Sequence, residues 1–219
     1  MFEKASQLIL KGSYDSVVML GDLVDDWYQE KNLDLYNATF DAAVAFVNKH
    51  KNTFWCYGNH DVSYLWEAME SGYSYYARET VVKRINDLTG ALTPENIGFI
   101  YKIDNVVFSH GGLIESFVMR HFGDNQIDFD SMFLRINKMG KVELWQEDSP
   151  IWARPQYGGI SLYPMELLQV VGHTPVRTAL DEGNILTLDT FSTYKDGRPI
   201  GDERFVCVDT VEKKWEFVE

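Results

Sequence analysis

Four short apolar runs in this chain each stop at a polar loop marked by glycine, and that repetition limits what the chain can fold into. Ser16-Val17-Val18-Met19-Leu20 ends at Gly21-Asp22 through Asp25, and Thr53-Phe54-Trp55-Cys56-Tyr57 ends at Gly58-Asn59-His60-Asp61. Val106 to Ser109 ends at His110-Gly111-Gly112, and Gln169-Val170-Val171 ends at Gly172-His173-Thr174. Short apolar runs bounded by turn signals read as buried strands. Between them the period changes. Phe2, Ala5, Leu8 and Ile9 follow helical spacing, with Gly12 able to end that helix, and Leu33, Tyr36, Phe40, Val44 and Val47 mark an amphipathic helix.

A more helical middle runs from about Ser63 to Leu88, after which Ile97 to Ile103 and Val106 to Ser109 read as two strands joined at Asp104-Asn105. The C-terminal part, with Ile185 to Leu188, Phe205 to Val208 and Lys214 to Val218, is strand-rich, with turns at Asp196-Gly197 and near Glu212-Lys213. The expected fold class is α/β with a β-rich end. No internal repeat, low-complexity tract or Pro/Gly/Ser linker divides the sequence, so residues 1–219 are expected to form a single domain.

Composition narrows the function. Hydrophobic residues make up 45% of the 219, enough to bury a core. Lys plus Arg number 20 against 33 Asp plus Glu, and the resulting net charge of −13 opposes nucleic acid and anionic membrane as partners. A polyanionic ligand therefore needs a local positive centre. Two cysteines, Cys56 and Cys207, are too few for a disulfide framework and are expected to be free in a reducing compartment. The N-terminus lacks the basic start and apolar run of a signal peptide, and no stretch approaches ~18 apolar residues. The expectation is a soluble, cytoplasmic protein.

The loops carry the chemistry. In an open α/β sheet, loops at the carboxyl ends of strands gather at one edge, so residues distant in sequence meet there. One carboxylate, one amide oxygen and two imidazoles form a mixed O/N set that suits a borderline divalent ion such as Mn, Fe or Zn. Of the five histidines, His60, His110 and His173 fall in these loops, while His50 and His121 do not. Taken singly, each candidate has a plainer reading. Asp22 and Asp25 can cap the next segment, Asn59 can be a turn residue, and Arg154 can be a packed surface neighbour of Trp152. The set makes the difference.

Gly21-Asp22-Leu23-Val24-Asp25, Gly58-Asn59-His60-Asp61, Ser109-His110-Gly111-Gly112 and Gly172-His173-Thr174-Pro175 resemble, in order and spacing, the second to fifth signature motifs of the calcineurin-like metallophosphoesterases. Within that superfamily the chain is most similar to the small bacterial and bacteriophage-lambda-type serine/threonine protein phosphatases, whose relatives include symmetrical diadenosine tetraphosphatases. The resemblance implies a layered β-sandwich flanked by helices, with the active site at strand C-terminal loops. It also implies a dinuclear centre, Mn with Fe or Zn as alternatives, in which metal-polarised water attacks phosphorus in line. By motif, Asp22 would bridge the metals, and Asn59, His110 and His173 would complete the second metal's ligands. His60, oriented by Asp25, would protonate the leaving-group oxygen, and Arg154 in Ile151-Trp152-Ala153-Arg154 would hold phosphate oxygens.

The chain departs from the family at three places. No Asp-x-His, the first family motif, occurs in these 219 residues, so the first metal's two ligands are absent and a single metal per chain is one expectation. Roughly 15 to 25 residues of strand and loop are expected to be missing ahead of Met1. Asp26-Trp27 stands where the protein phosphatases commonly have arginine and glycine, and Tyr57 where many have arginine. Arg154 is then the best phosphate clamp, with Arg78 and Arg177 as helpers, and Trp27, Tyr28, Trp66, Tyr73, Tyr75 and Tyr76 can line a substrate groove. The functional expectations are three: a metal-dependent phosphomonoester or phosphoprotein phosphatase, a dinucleoside tetraphosphate hydrolase, or a non-catalytic metal-binding fragment or interaction module.

Overall fold

Residues along each of the main apolar runs alternate between two different cores, and that alternation builds the layers. The computed structural model describes residues 1–123 and 128–219. The first half contains α1 (Phe2–Lys11), β1 (Val17–Met19), α2 (Leu33–Lys49), β2 (Thr53–Cys56), α3 (Asn59–Leu65), α4 (Arg78–Ala91), β3 (Ile97–Gly98), β4 (Ile100–Ile103) and β5 (Val106–Ser109). The second half contains α5 (Glu115–Phe122), α6 (Phe129–Ile136), α7 (Lys141–Leu144), β6 (Leu168–Pro175), β7 (Leu180–Asp181), β8 (Ile185–Asp189), β9 (Val206–Asp209) and β10 (Lys214–Phe217).

One sheet has the order β1-β2-β3, all parallel, and a second has the order β4-β5-β6-β8-β7, in which β5, β6 and β8 are parallel. Strand side chains point alternately to opposite faces. Val17, Met19 and Trp55 therefore face a core built from α1, α2 and α4, while Val18, Leu20, Phe54 and Cys56 face Val106, Phe108, Leu168, Val170 and Leu186 of the other sheet. Val107 and Ile100 turn outward to a third core with α5 and α6. The layers run helix, sheet, sheet, helix, as the resemblance implies.

Local sequence explains the helices that fix this stack. Asn32 accepts the Leu35 amide through its side-chain oxygen, so α2 begins there, and Tyr36, Phe40, Ala43, Phe46 and Val47 form its buried face. No helix among the described residues is long and apolar enough to cross a membrane. Both cysteines are free thiols, Cys56 buried between the sheets and Cys207 half-buried.

The run from Ile97 to Ile103, read as one strand from sequence, is two. Ile97–Gly98 pairs with β2, and Ile100–Ile103 pairs with β5 in the other sheet. The change occurs at Phe99. There the Asn137 side-chain oxygen takes the amides of Phe99 (2.6 Å) and Ile100 (3.0 Å), and its NH2 donates to the Ile100 carbonyl (2.9 Å), so the backbone groups freed by the switch keep partners. The Asp104-Asn105 hairpin and the C-terminal β9-β10 pair, closed around Glu212-Lys213, are as the sequence suggests.

Candidate metal centre

Asp22 follows β1, Asn59 opens α3 after β2, His110 follows β5, and His173 lies within β6, so four strand ends deliver four side chains to one place. Their geometry is centred on His110. Its Nε2 lies 3.0 Å from Asn59 Oδ1, 3.0 Å from His173 Nδ1 and 3.0 Å from Asp22 Oδ2. The other ring nitrogen, Nδ1, is 2.6 Å from the Leu20 carbonyl, which can only accept, so the proton of a neutral His110 sits on Nδ1 and the Nε2 lone pair faces the cluster.

Four lone-pair atoms thus converge on one point. One proton can serve only one of these contacts at a time, whereas a single divalent ion can serve all four. Asp22, His110 and His173 each offer a ligand atom, all within 4.8 Å of one another. The donor set and its burial fit a borderline divalent metal. Burial alone would push the Asp22 carboxyl up, but the His110 imidazole beside it, with His60 and His173 farther off, holds it well below the usual carboxylate range. Burial likewise opposes charge on His110, and Asp22 outweighs it to raise that imidazole. His173 moves the other way, down to about 2, through burial and the positive neighbours His110 and Arg154.

Three site residues hold a strained backbone conformation. Asp22 (φ 56°), Asp25 (φ 75°) and His173 (φ 62°) occupy the left-handed region, which costs a non-glycine residue roughly 1–2 kcal/mol each. Asp61, buried at 3% exposure, holds the first two loops together: its carboxylate accepts the amides of Asp22 (2.9 Å), Leu23 (3.0 Å) and Gly58 (2.9 Å). Gly58 must be glycine, because a Cβ would collide with the Asp22 carboxylate and backbone nitrogen. On the opposite side, a Cβ on Gly111 would lie 2.8 Å from the Ala153 carbonyl, and that contact seats the 151–154 segment against the centre.

Beside the centre, His60 Nδ1 lies 2.9 Å from Asp25 Oδ2, with the imidazole 22% exposed and the carboxylate fully buried. The His60 amide donates to Asp22 Oδ1 at 3.0 Å, which ties this pair to the ligand cluster. Burial would lower the His60 imidazole, but the Asp25 hydrogen bond and the charges of Asp22, Asp25 and Glu70 raise it to about 9. Arg154 is half-buried next to His173, and among the described residues it has no ion pair or side-chain hydrogen bond. Among the described residues its guanidinium is uncommitted, and its charge is felt at His173. Trp152 stands edge-on to His173 with centroids 5.7 Å apart, and so walls the imidazole.

All seven candidates from the sequence, Asp22, Asn59, His110, His173, His60, Asp25 and Arg154, therefore gather in one locality. Several companions do not. Arg78 is paired with Glu67, Arg177 is exposed, and Trp66 packs against Phe99 and Trp145. Asp26 Oδ1 accepts the Trp27 amide (2.9 Å) and the Thr193 hydroxyl (3.5 Å). Asp189, at the end of β8, accepts Ser192 Oγ at 2.8 Å. Sequence reasoning gave no role to Asp61, Trp152 or the Leu20 carbonyl; only the Asp at the third position of α3 offered a signal, as an ordinary helix-start residue.

A family model described as calcineurin-like phosphoesterase matches residues 2–202. A search of curated proteins finds no match.

Proposed function

Because the chain belongs to the calcineurin-like phosphoesterase family, we propose that it is a metal-dependent hydrolase of phosphate monoesters, carried by side chains of protein-phosphatase type. The observation that carries this reading is the convergence of Asp22, Asn59 and His173 on His110 Nε2, with the His60–Asp25 pair alongside. A divalent cation, for which we favour Mn, supplies Lewis acidity to the phosphoryl group and makes water an effective nucleophile near neutral pH.

The chain's own residues do the rest. Asp22, Asn59, His110 and His173 hold the cation, and the Leu20 carbonyl fixes the His110 ring. Arg154 pairs with phosphate oxygens, the local positive centre that a chain of net charge −13 requires. In the reaction, the bond between phosphorus and the ester oxygen breaks as water adds to phosphorus. His60, whose Nδ1 is engaged with Asp25, delivers its Nε2 proton to the departing oxygen, so the products are an alcohol and inorganic phosphate.

The test is turnover of p-nitrophenyl phosphate by the 219-residue chain with and without Mn2+. Metal-stimulated hydrolysis that falls by at least ~100-fold in His60→Ala supports the reading. No metal-stimulated hydrolysis, or an unchanged rate in His60→Ala, overturns it. A second reading, a metal-binding module without turnover, is favoured by the single ligand cluster among the described residues. It requires one bound metal per chain and no hydrolysis of either p-nitrophenyl phosphate or a dinucleoside tetraphosphate.

A further inference from the structure

Asp25 is a fully buried carboxylate, and His60 accounts for only one of its oxygens. The other, Oδ1, takes a short hydrogen bond from the Tyr64 hydroxyl. His60 and Tyr64 stand four residues apart on α3, the spacing that places side chains on one helix face, so both can reach the same carboxyl group.

The direction of the Tyr64 bond is fixed by its surroundings. The Ser74 amide donates to Tyr64 Oη at 2.9 Å, and a carboxylate can only accept, so the phenol proton points at Asp25. Tyr64 is 0% exposed, with its ring stacked on Tyr73 at a centroid distance of 4.5 Å and 21° between planes. Ser74 is anchored in turn, since its hydroxyl donates to the Glu30 carbonyl and accepts the Ala77 amide at 2.9 Å. Gly72 closes the other side, where a Cβ would lie 2.9 Å from Asp25 Cβ. Held by one bond only, a carboxylate can swing about its Cβ–Cγ axis; held at both oxygens, it fixes the plane in which the imidazole must lie.

We propose that Tyr64 is a positioning residue for catalysis, locking the Asp25 carboxylate so that His60 is aimed at the leaving-group oxygen. The proposal rests on the general-acid reading of His60 given above. Tyr64 touches neither substrate nor metal ligand; it acts through Asp25. Its contribution therefore belongs to the step that protonates the departing oxygen, and it grows as the leaving group becomes poorer.

The experiment compares wild type, Tyr64→Phe and His60→Ala in the full chain with Mn2+, using p-nitrophenyl phosphate (good leaving group) and phenyl phosphate (poor). Tyr64→Phe is expected to lower kcat about 10-fold on phenyl phosphate and less than about 3-fold on p-nitrophenyl phosphate, a fraction of what the acid itself supplies, with KM nearly unchanged on both. Equal losses on the two esters, or none, overturn the positioning role even if Tm falls. The His60→Ala control separates the two layers of argument. If it discriminates between the esters and Tyr64→Phe does not, only the Tyr64 proposal fails. If it fails to discriminate, the general-acid reading fails and this proposal falls with it. A measurement on the wild type guards against a poorly folded variant: the Tyr64 hydroxyl proton should give a slowly exchanging NMR resonance in the metal-free chain, and fast exchange overturns the proposal.

Discussion

The oxygen and nitrogen donors of the metal centre come from different sheets and are held by different means. Asp22 and Asn59 sit beyond β1 and β2 of the three-stranded sheet, where β1 is an outer strand with Val17, Val18 and Met19 all half-buried. Their placement depends on side-chain and loop contacts: the Asp61 carboxylate, the close approach of Gly58, and a left-handed Asp22. His110 and His173 come from β5 and β6, which are buried on both faces and paired in register from Val106↔Leu168 to Ser109↔Val171. The Gly172 amide still bonds the His110 carbonyl at 2.9 Å beyond that register, and one irregularity after Val171 turns His173 inward. The nitrogen side is set by a ladder, the oxygen side by a loop cluster. A cation at the centre would join the two.

That view can be broken first by metal binding itself, where the effect is largest. Saturating Mn2+, at about 100 times Kd, is expected to add roughly 2.7 kcal/mol to stability, read as a rise in Tm. Either Asp22→Ala or His110→Ala should abolish that rise and weaken binding more than the ~10–100-fold typical of losing an outer partner, measured by calorimetry. A rise that survives removal of one side would mean that the ion does not bridge the sheets.

A methyl group sharpens the contrast between loop and ladder. Gly58→Ala on the oxygen side is expected to cost about 1–3 kcal/mol and to weaken Mn2+ binding, because the new Cβ collides with the Asp22 carboxylate and lies 2.6 Å from the Asp22 backbone nitrogen. Gly172→Ala on the nitrogen side meets Leu20 Cβ at 3.3 Å and His110 Nδ1 at 3.8 Å, distances a small adjustment can absorb. It should cost well under about 1 kcal/mol, and equal losses in chemical denaturation would erase the distinction.

The smallest effect lies outside the centre, at the junction of α1 and α2, where His50 Nε2 is 3.0 Å from Ser6 Oγ. Burial, aided by Lys49, lowers the His50 imidazole below its ordinary 6.5. The folded chain therefore holds this proton less tightly than the unfolded chain. The stabilisation is fully present above about pH 6.5 and is lost as pH falls through the folded value. His50→Gln should shrink the Tm difference between pH 7.5 and pH 5 by less than the roughly 2–4 °C that 1 kcal/mol produces in a chain of this size. An unchanged difference would place the acid sensitivity elsewhere.

Much of this arrangement was legible in the sequence for physical reasons. Val17 to Leu20 and Phe54 to Cys56 are apolar throughout because both faces of each run pack against a core, which marks them as covered strands. Glycine at the loop starts signals the backbone approach that Gly58 shows. The ligand set itself came from resemblance, since single residues such as Asn59 carry ordinary alternatives. What stayed hidden depends on contacts across long separations. The switch of sheets at Phe99 needs Asn137, and the lock on Asp25 needs Tyr64 and Ser74, whose own neighbours announce only a helix and a turn. Asp26 departs from the family's arginine, and the bond its carboxylate takes from the Trp27 amide depends on a turn geometry that the sequence does not spell out.

The passage of one backbone through both sheets at Phe99 has a mechanical consequence. Separating the two sheets there would break backbone pairing on either side of a single residue, which ties the loops that carry Asp22 and Asn59 to those that carry His110 and His173.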